Sequence, residues 1–364
     1  MTRLSGLTLV DSGIILWSVM HFLLIAGPVP AQDVELVEVA NDENTTATFA
    51  KVMPGKEFRF PEDHGLHPEF QSEWWYVTAN LSDAEGHQFG IQYTLFAAAD
   101  IQNNSKYRIY FAHATLATEQ AFFFAERYAR EDMGHAGVER SPFLAYLDHW
   151  RFEGDGAAPV PGRITVMEES FGYDLMTSDS PYFLQGDKGY SQKNDTGSMA
   201  SYYYSAPFVS IKGELTVAGK IHQVTGKAWL DREWSTSVIR AENLGWDWFA
   251  LHLDENTALM LYRLRSHGEQ HFYGNLMSKE GGMTSLAEQD ITFTPGRSVE
   301  FNEHDYTLEW QIEIPSLNID IVTQPINDQT YLRIRIPYWE GPVRISGSHE
   351  SVGFMELFGV RSLD

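Results

Sequence analysis

Apolar residues along this chain recur mostly at every second position, and Gly, Asn, Asp and Pro punctuate the runs. Trp75-Val77-Ala79-Leu81, Ile91-Tyr93-Leu95, Leu215-Val217 and Leu259-Leu261 are examples. Successive side chains of a strand point to opposite faces, so a period of two predicts short, half-buried β-strands. Stretches with the helical period of 3.6 are scarce. The pattern predicts an all-β protein.

The pattern also repeats. Trp74–Leu95 (WWYVTANLSDAEGHQFGIQYTL) resembles Trp246–Leu264 (WDWFALHLDENTALMLYRL). Both place Trp first, an aromatic third and Leu eighth, then a polar turn and a strand closing on Tyr-x-Leu. A second pair is GELTVAGKIHQVTG from Gly213 and GPVRISGSHESVG from Gly341. Each leads into a last strand, AWLDREW in one case and FMELFGV in the other. Trp150 with Trp310, and Leu175-Met176-Thr177 with Ile321-Val322-Thr323, are weaker pairs. The duplication predicts two units, residues 57–240 with insertions and residues 241–364, each of roughly eight strands in hairpin order. An up-and-down barrel removes its own sheet edges and can enclose a small ligand. A β-sandwich is the competing architecture.

Composition narrows the setting. Of 364 residues, 43% are hydrophobic and 13% aromatic, enough for large cores. Fifty acidic against 26 basic side chains give a net charge of −24, which argues against nucleic acid and anionic membranes as partners. At the N-terminus, Arg3, an apolar run from Gly13 to Gly27 and the small residues before Gln32 predict a signal peptide over 1–31. That run is short for a membrane span, so no stable span is expected after cleavage; an uncleaved anchor is the alternative. There is no cysteine, which excludes disulfides, thiolate chemistry, Cys-ligated zinc and a lipoprotein anchor. A periplasmic or secreted location is expected. Residues 32–56 are acidic and without sustained period, and predict a linker.

Four segments carry a resemblance: EWWY (Glu73 to Tyr76), FAHATL (Phe111 to Leu116), WLDREW (Trp229 to Trp234) and GWDWF (Gly245 to Phe249). With LMLYRLR (Leu259 to Arg265) and YWEGPVRISG (Tyr338 to Gly347), they make the chain similar, from about residue 57 onward, to the secreted lipocalin-like family of carotenoid 1,2-hydratases, AttH-like proteins and predicted secreted hydrolases. The resemblance implies two tandem lipocalin-like antiparallel β-barrels, in agreement with the repeat. It constrains function less, because one fold hosts several activities.

The candidate chemistry is acidic and aromatic. By strand parity Glu73 shares a face with Trp75, Val77, Ala79 and Leu81, and Asp247 with Phe249, Leu251 and Leu253. Each carboxylate therefore heads an apolar face, in or at the mouth of a barrel. Trp229, Asp231 and Glu233 share another face, with Arg232 and Trp234 opposite. A carboxyl held among indoles has its charged form disfavoured and can act as a general acid near neutrality. Hydration of a carbon–carbon double bond needs such a donor, and aromatic faces to shelter the cation. Asp231 and Asp247 lead the catalytic candidates, followed by Glu73, Glu233 and His113, which alternates with Phe111 and Thr115. Trp74, Trp75, Tyr76, Trp229, Trp234, Trp246, Trp248 and Tyr262 are the candidate ligand-binding walls. The structural reading stays open beside this one: Arg232, Arg263 and Arg265 can neutralise these carboxylates, with Trp against Arg closing a barrel end. His64-x-x-His67 has no accompanying HExxH, and no Gly-x-Ser-x-Gly elbow, dinucleotide fingerprint or phosphate loop occurs. Neither metal nor cofactor is expected. The expectation is an exported protein acting on an isoprenoid or lipid-like molecule by acid-assisted hydration or hydrolysis, or a carrier or chaperone for such a ligand.

Overall fold

The computed structural model describes residues 36–42, 45–102, 105–194, 197–236, 244–266 and 269–359. The predicted signal peptide lies outside them. Among the described residues the regular elements are strands, apart from three-residue 3-10 turns. The stretch 32–56, expected as a linker, carries an antiparallel pair, Leu36–Asp42 with Thr45–Ala50. Its end is docked: Ala50 and Val52 are buried against Phe70, Tyr202 and Trp234.

The first sheet begins with Ser72–Asp83, the EWWY strand. Gln88–Gln102, Ser105–Thr118 and Phe122–Arg130 follow it as antiparallel neighbours. Five shorter strands from Ala136–Arg140 to Phe171–Thr177 continue the meander into Ala200–Val217 and Lys220–Ser235. That last strand, which carries WLDREW, pairs back onto the EWWY strand, so the sheet curls into a nearly closed barrel. Its hairpin turn has two residues, Ala218 and Gly219, with φ of 48° and 83°. This is the left-handed pair that a tight hairpin of right-twisted strands requires.

The second sheet repeats the cycle. It starts with the GWDWF strand, Leu244–His252, and ends with Ser351–Phe358, which pairs back onto it to give a half-barrel. The tandem lipocalin-like architecture expected from the repeat is therefore present. The duplication extends to register. Asp231 lies opposite Tyr76 in the first sheet, and Glu356 lies opposite Trp248 in the second.

Parity then decides what each sheet buries. Trp75, Val77, Ala79 and Leu81 point inward with Ile91, Tyr93, Leu95 and Leu116. Phe249, Leu251, Leu259, Leu261, Met355 and Leu357 do the same in the second sheet. Apolar side chains thus fill both interiors. Part of each outward face is buried too, where the sheets pack against each other. Tyr76, Tyr203 and Trp229 of the first sheet meet Trp248, Met260 and Phe354 of the second. The approach is close: a Cβ on Gly90 would lie 2.3 Å from Pro342 Cγ. Glycine at 90 lets the strands come together.

Candidate functional site

Glu73 and Asp247 face the barrel interiors, as parity predicted, and arginines consume both. The Glu73 carboxylate is bonded by the Arg232 guanidinium, by Arg108 Nη1 at 3.3 Å and by the His67 backbone N–H at 3.0 Å. Arg232 lies 3.9 Å over the Trp75 ring. Burial by itself raises the Glu73 pKa, but Arg232, His67 and Arg108 bring it down to about 2. In the second sheet Asp247 accepts hydrogen bonds from Arg263 Nε at 2.6 Å and Arg265 Nη1 at 2.5 Å. Arg263 in turn sits 4.7 Å over Trp310. Each sheet therefore carries the same device, a buried carboxylate that fixes an arginine on an indole face. Trp75 packs in the first core, and Trp234 stacks on His67 at 4.0 Å, so neither faces the cavity described next.

A cavity of about 300 Å³ lies between the outward faces of the two sheets. Trp74, Tyr76, Phe96 and Phe111 line it from the first sheet, and Trp246, Trp248, Tyr262 and Phe358 from the second. Ile336, half exposed, stands at its edge. The carboxyl groups of Asp231, Glu233 and Glu356 face this aromatic enclosure, and His113 and Tyr338 line it beside them. The volume is at the lower end of the range for small-molecule sites, roughly 300–1,000 Å³.

Asp231 is buried and held by three donors. Trp229 Nε1 and Ser205 Oγ donate to Oδ1 at 2.7 and 2.5 Å, and the Tyr203 hydroxyl donates to Oδ2 at 2.8 Å. Burial pushes its pKa up to about 7, against those hydrogen bonds and with the help of the Glu233 charge. Glu356, at the corresponding position of the second sheet, accepts from Trp246 Nε1 at 2.6 Å. Burial first, then the charges of Asp231 and Glu233, lift it to about 7 as well. Glu340 lies opposite Glu356 and bonds the Tyr76 hydroxyl. Burial and the Glu356 charge raise its pKa well above the carboxylate range.

Glu233 is different in kind. Lys193 Nζ lies 2.9 Å from its carboxylate, and Ser201 donates to it. The ammonium also sits over Tyr262 at 4.6 Å and Tyr203 at 5.2 Å. Burial disfavours the ammonium, yet Glu233 and the surrounding tyrosines hold the Lys193 pKa above its usual value. The site thus sets the Lys193–Glu233 ion pair beside two carboxyls whose pKa values burial raises to about 7. His113 Nδ1 and the Tyr338 hydroxyl share a hydrogen bond of 2.9 Å, and burial lowers the His113 pKa to about 3. It is a neutral wall residue at ordinary pH.

The AttH-like family model matches residues 51–360. The chain belongs to the AttH-like family. A Nitrosomonas europaea protein designated AttH superposes with a TM-score of 0.76 at 29% identity, covering 86% of this chain and all of that one. Kievitone hydratase from Nectria haematococca shares the fold at a TM-score of 0.64 and 14% identity, over 84% of this chain and 93% of its own. No curated protein sequence matches the chain.

In this AttH-like protein the structure brings together Asp231, Glu233, His113, Trp74, Tyr76, Trp246, Trp248 and Tyr262. Trp229 supports the group from behind by donating to Asp231. Glu73 also borders the cavity but is held there by Arg232 and Arg108, whereas Asp247, Trp75 and Trp234 do not line it. Sequence reasoning missed Glu356, Glu340, Tyr338, Tyr203 and Lys193. The repeat contained a signal for Glu356: FMELFGV aligns with AWLDREW, and pairing each last strand onto its first strand equates Glu356 with Asp231.

Proposed function

We propose that this AttH-like protein, exported from the cytoplasm, binds a hydrophobic isoprenoid or lipid-like molecule between its two sheets and hydrates a carbon–carbon double bond. One observation carries the reading. Two carboxyls at equivalent positions of a duplicated fold, Asp231 and Glu356, both have pKa values lifted to about 7 and both face an aromatic cavity. Groups poised near the working pH serve as proton donor and acceptor.

Protonated Asp231 gives its proton to one alkene carbon; a C–H bond forms, the π bond breaks and the other carbon becomes cationic. The faces of Tyr76, Trp246 and Trp248 stabilise that charge. Water adds to the cation, a C–O bond forms, and the released proton goes to an ionised carboxylate of the Asp231–Glu356 pair. The reaction is redox-neutral. A named hydratase uses the same fold, but it is the residues that support this reading.

The test is incubation of the protein with a panel of acyclic and prenylated isoprenoids in ¹⁸O-labelled water, followed by mass spectrometry. The expected result is a product heavier by one labelled water, abolished in Asp231→Asn and strongly reduced in Glu356→Gln. If wild-type protein retains a ligand from the panel and never adds water, the protein is a carrier and the catalytic reading fails.

A further inference from the structure

Far from the cavity, the other end of the EWWY strand carries a second cluster. Asp83 closes that strand, and His87 follows across the turn. His222 comes from the neighbouring WLDREW strand, where Val224 pairs with Asp83. At about 3.3 Å per residue, Asp83 is roughly 30 Å along the strand from Trp74. We propose that Asp83, His87 and His222 form a binding site for one zinc-class divalent cation.

The three donor atoms already converge. His87 Nδ1 and His222 Nδ1 lie 2.8 and 2.9 Å from Asp83 Oδ2, and the three ligand atoms are all within 4.8 Å of one another. Ligands around a zinc ion with bonds of about 2.0–2.1 Å stand roughly 3.3 Å apart, so small shifts admit the ion. The carboxylate is oriented in advance. Its Oδ1 accepts the backbone N–H groups of Glu85 and His87, each at 3.0 Å, which turns Oδ2 toward the imidazoles. Gly86, with φ of 88°, gives the turn the left-handed residue that brings His87 back over Asp83. His222 is fixed by its ring contact with Phe89 at 4.9 Å, and only 9% of its side chain is exposed. His87 is 54% exposed and leaves a path for entry.

The donor set selects the ion class. Two imidazole nitrogens and one carboxylate oxygen suit zinc and its neighbours, whereas calcium and magnesium favour oxygen ligands. Glu85 Oε2, 3.6 Å from His87 Nδ1, is available as a fourth ligand. Bound there, the ion clamps the Asp83–His87 turn to the adjacent strand, since its ligands come from two hairpins. The role is structural. No linear motif announces it, because His222 stands far along the chain from the other two ligands.

The test is calorimetric titration of EDTA-treated protein with Zn²⁺, with Co²⁺ as a spectroscopic probe and Mg²⁺ as a control. One equivalent of Zn²⁺ should bind, Co²⁺ should show visible ligand-field bands, and Zn²⁺ should raise Tm. His222→Ala, Asp83→Asn and His87→Ala should each weaken binding by at least the 10–100-fold typical of losing an outer-shell partner. His149→Ala, an exposed histidine elsewhere, should leave it unchanged. If a variant misfolds by circular dichroism, the solvent-facing His87→Ala decides. Absence of saturable Zn²⁺ binding, or binding that survives all three substitutions, overturns the site.

Discussion

Asp231→Asn should make the protein more stable at alkaline pH while removing its proposed activity. In the folded chain the Asp231 pKa is about 7 against an ordinary 3.8, with burial as the main cause. Between those values the folded state keeps a proton that the unfolded state has released. The stabilisation is full below the unfolded pKa and is lost as pH rises through the folded one. At about 1.4 kcal/mol per pH unit, the difference is on the order of 4 kcal/mol by pH 8. Asparagine matches the protonated carboxyl in shape. Its oxygen can accept from Trp229 and Ser205, and its amide can donate to the Tyr203 hydroxyl after that rotor turns. The assay is urea unfolding of both proteins from pH 5 to 9. Near pH 5, little more than one unit above the unfolded value, the variant should lead by only about 1–2 kcal/mol. The wild type should then fall away from the variant as pH rises, with the steepest change below about pH 7. A stability difference independent of pH, or a variant weaker than wild type at pH 8, would refute the claim that Asp231 is buried against its charge.

Glu73 should behave in the opposite way. Arg232→Met leaves Glu73 charged and buried with Arg108 and His67 alone, and should cost about 3–5 kcal/mol in urea unfolding. Because the Glu73 pKa is lowered, its contribution is present above its unfolded pKa of 4.5 and is lost as pH falls toward 2; an unchanged acid limb in the variant would contradict this. Asp247→Asn removes the partner of Arg263 and Arg265 and should destabilise by about 1–3 kcal/mol while leaving ligand retention intact. Native mass spectrometry of the ligand-loaded variant checks it; loss of ligand at unchanged stability would return Asp247 to the site.

The parity of the strands put Asp231 and Glu233 on one face with Trp229, and the structure keeps them there. The same parity put Glu73 and Asp247 on apolar faces, also correctly. Parity alone does not say which face is left with space. The carboxylates were expected in or at the mouth of a barrel; Trp75, Leu95 and Leu116 fill the first interior, and Phe249 and Leu261 the second. Glu356 was legible only through the repeat and its register; Glu340 was not, since its counterpart opposite Asp231 is Ser205, and Lys193 arrives from a loop segment with no pattern of its own.

The sequence by itself determined the strands, the duplication, the family and the aromatic character of the walls, because alternation and self-similarity are local properties of the chain. Tertiary structure alone decided which carboxylates meet arginines and which meet indoles. Strands that are apolar on one face and aromatic on the other bury both, and only the packing of one sheet's outer face on the other's shows where space is left. Charge state follows from that placement: Glu73 and Asp247 are neutralised by cations, whereas Asp231 and Glu356, set opposite equivalent residues of two sheets, have their charged forms disfavoured by burial in the shared gap.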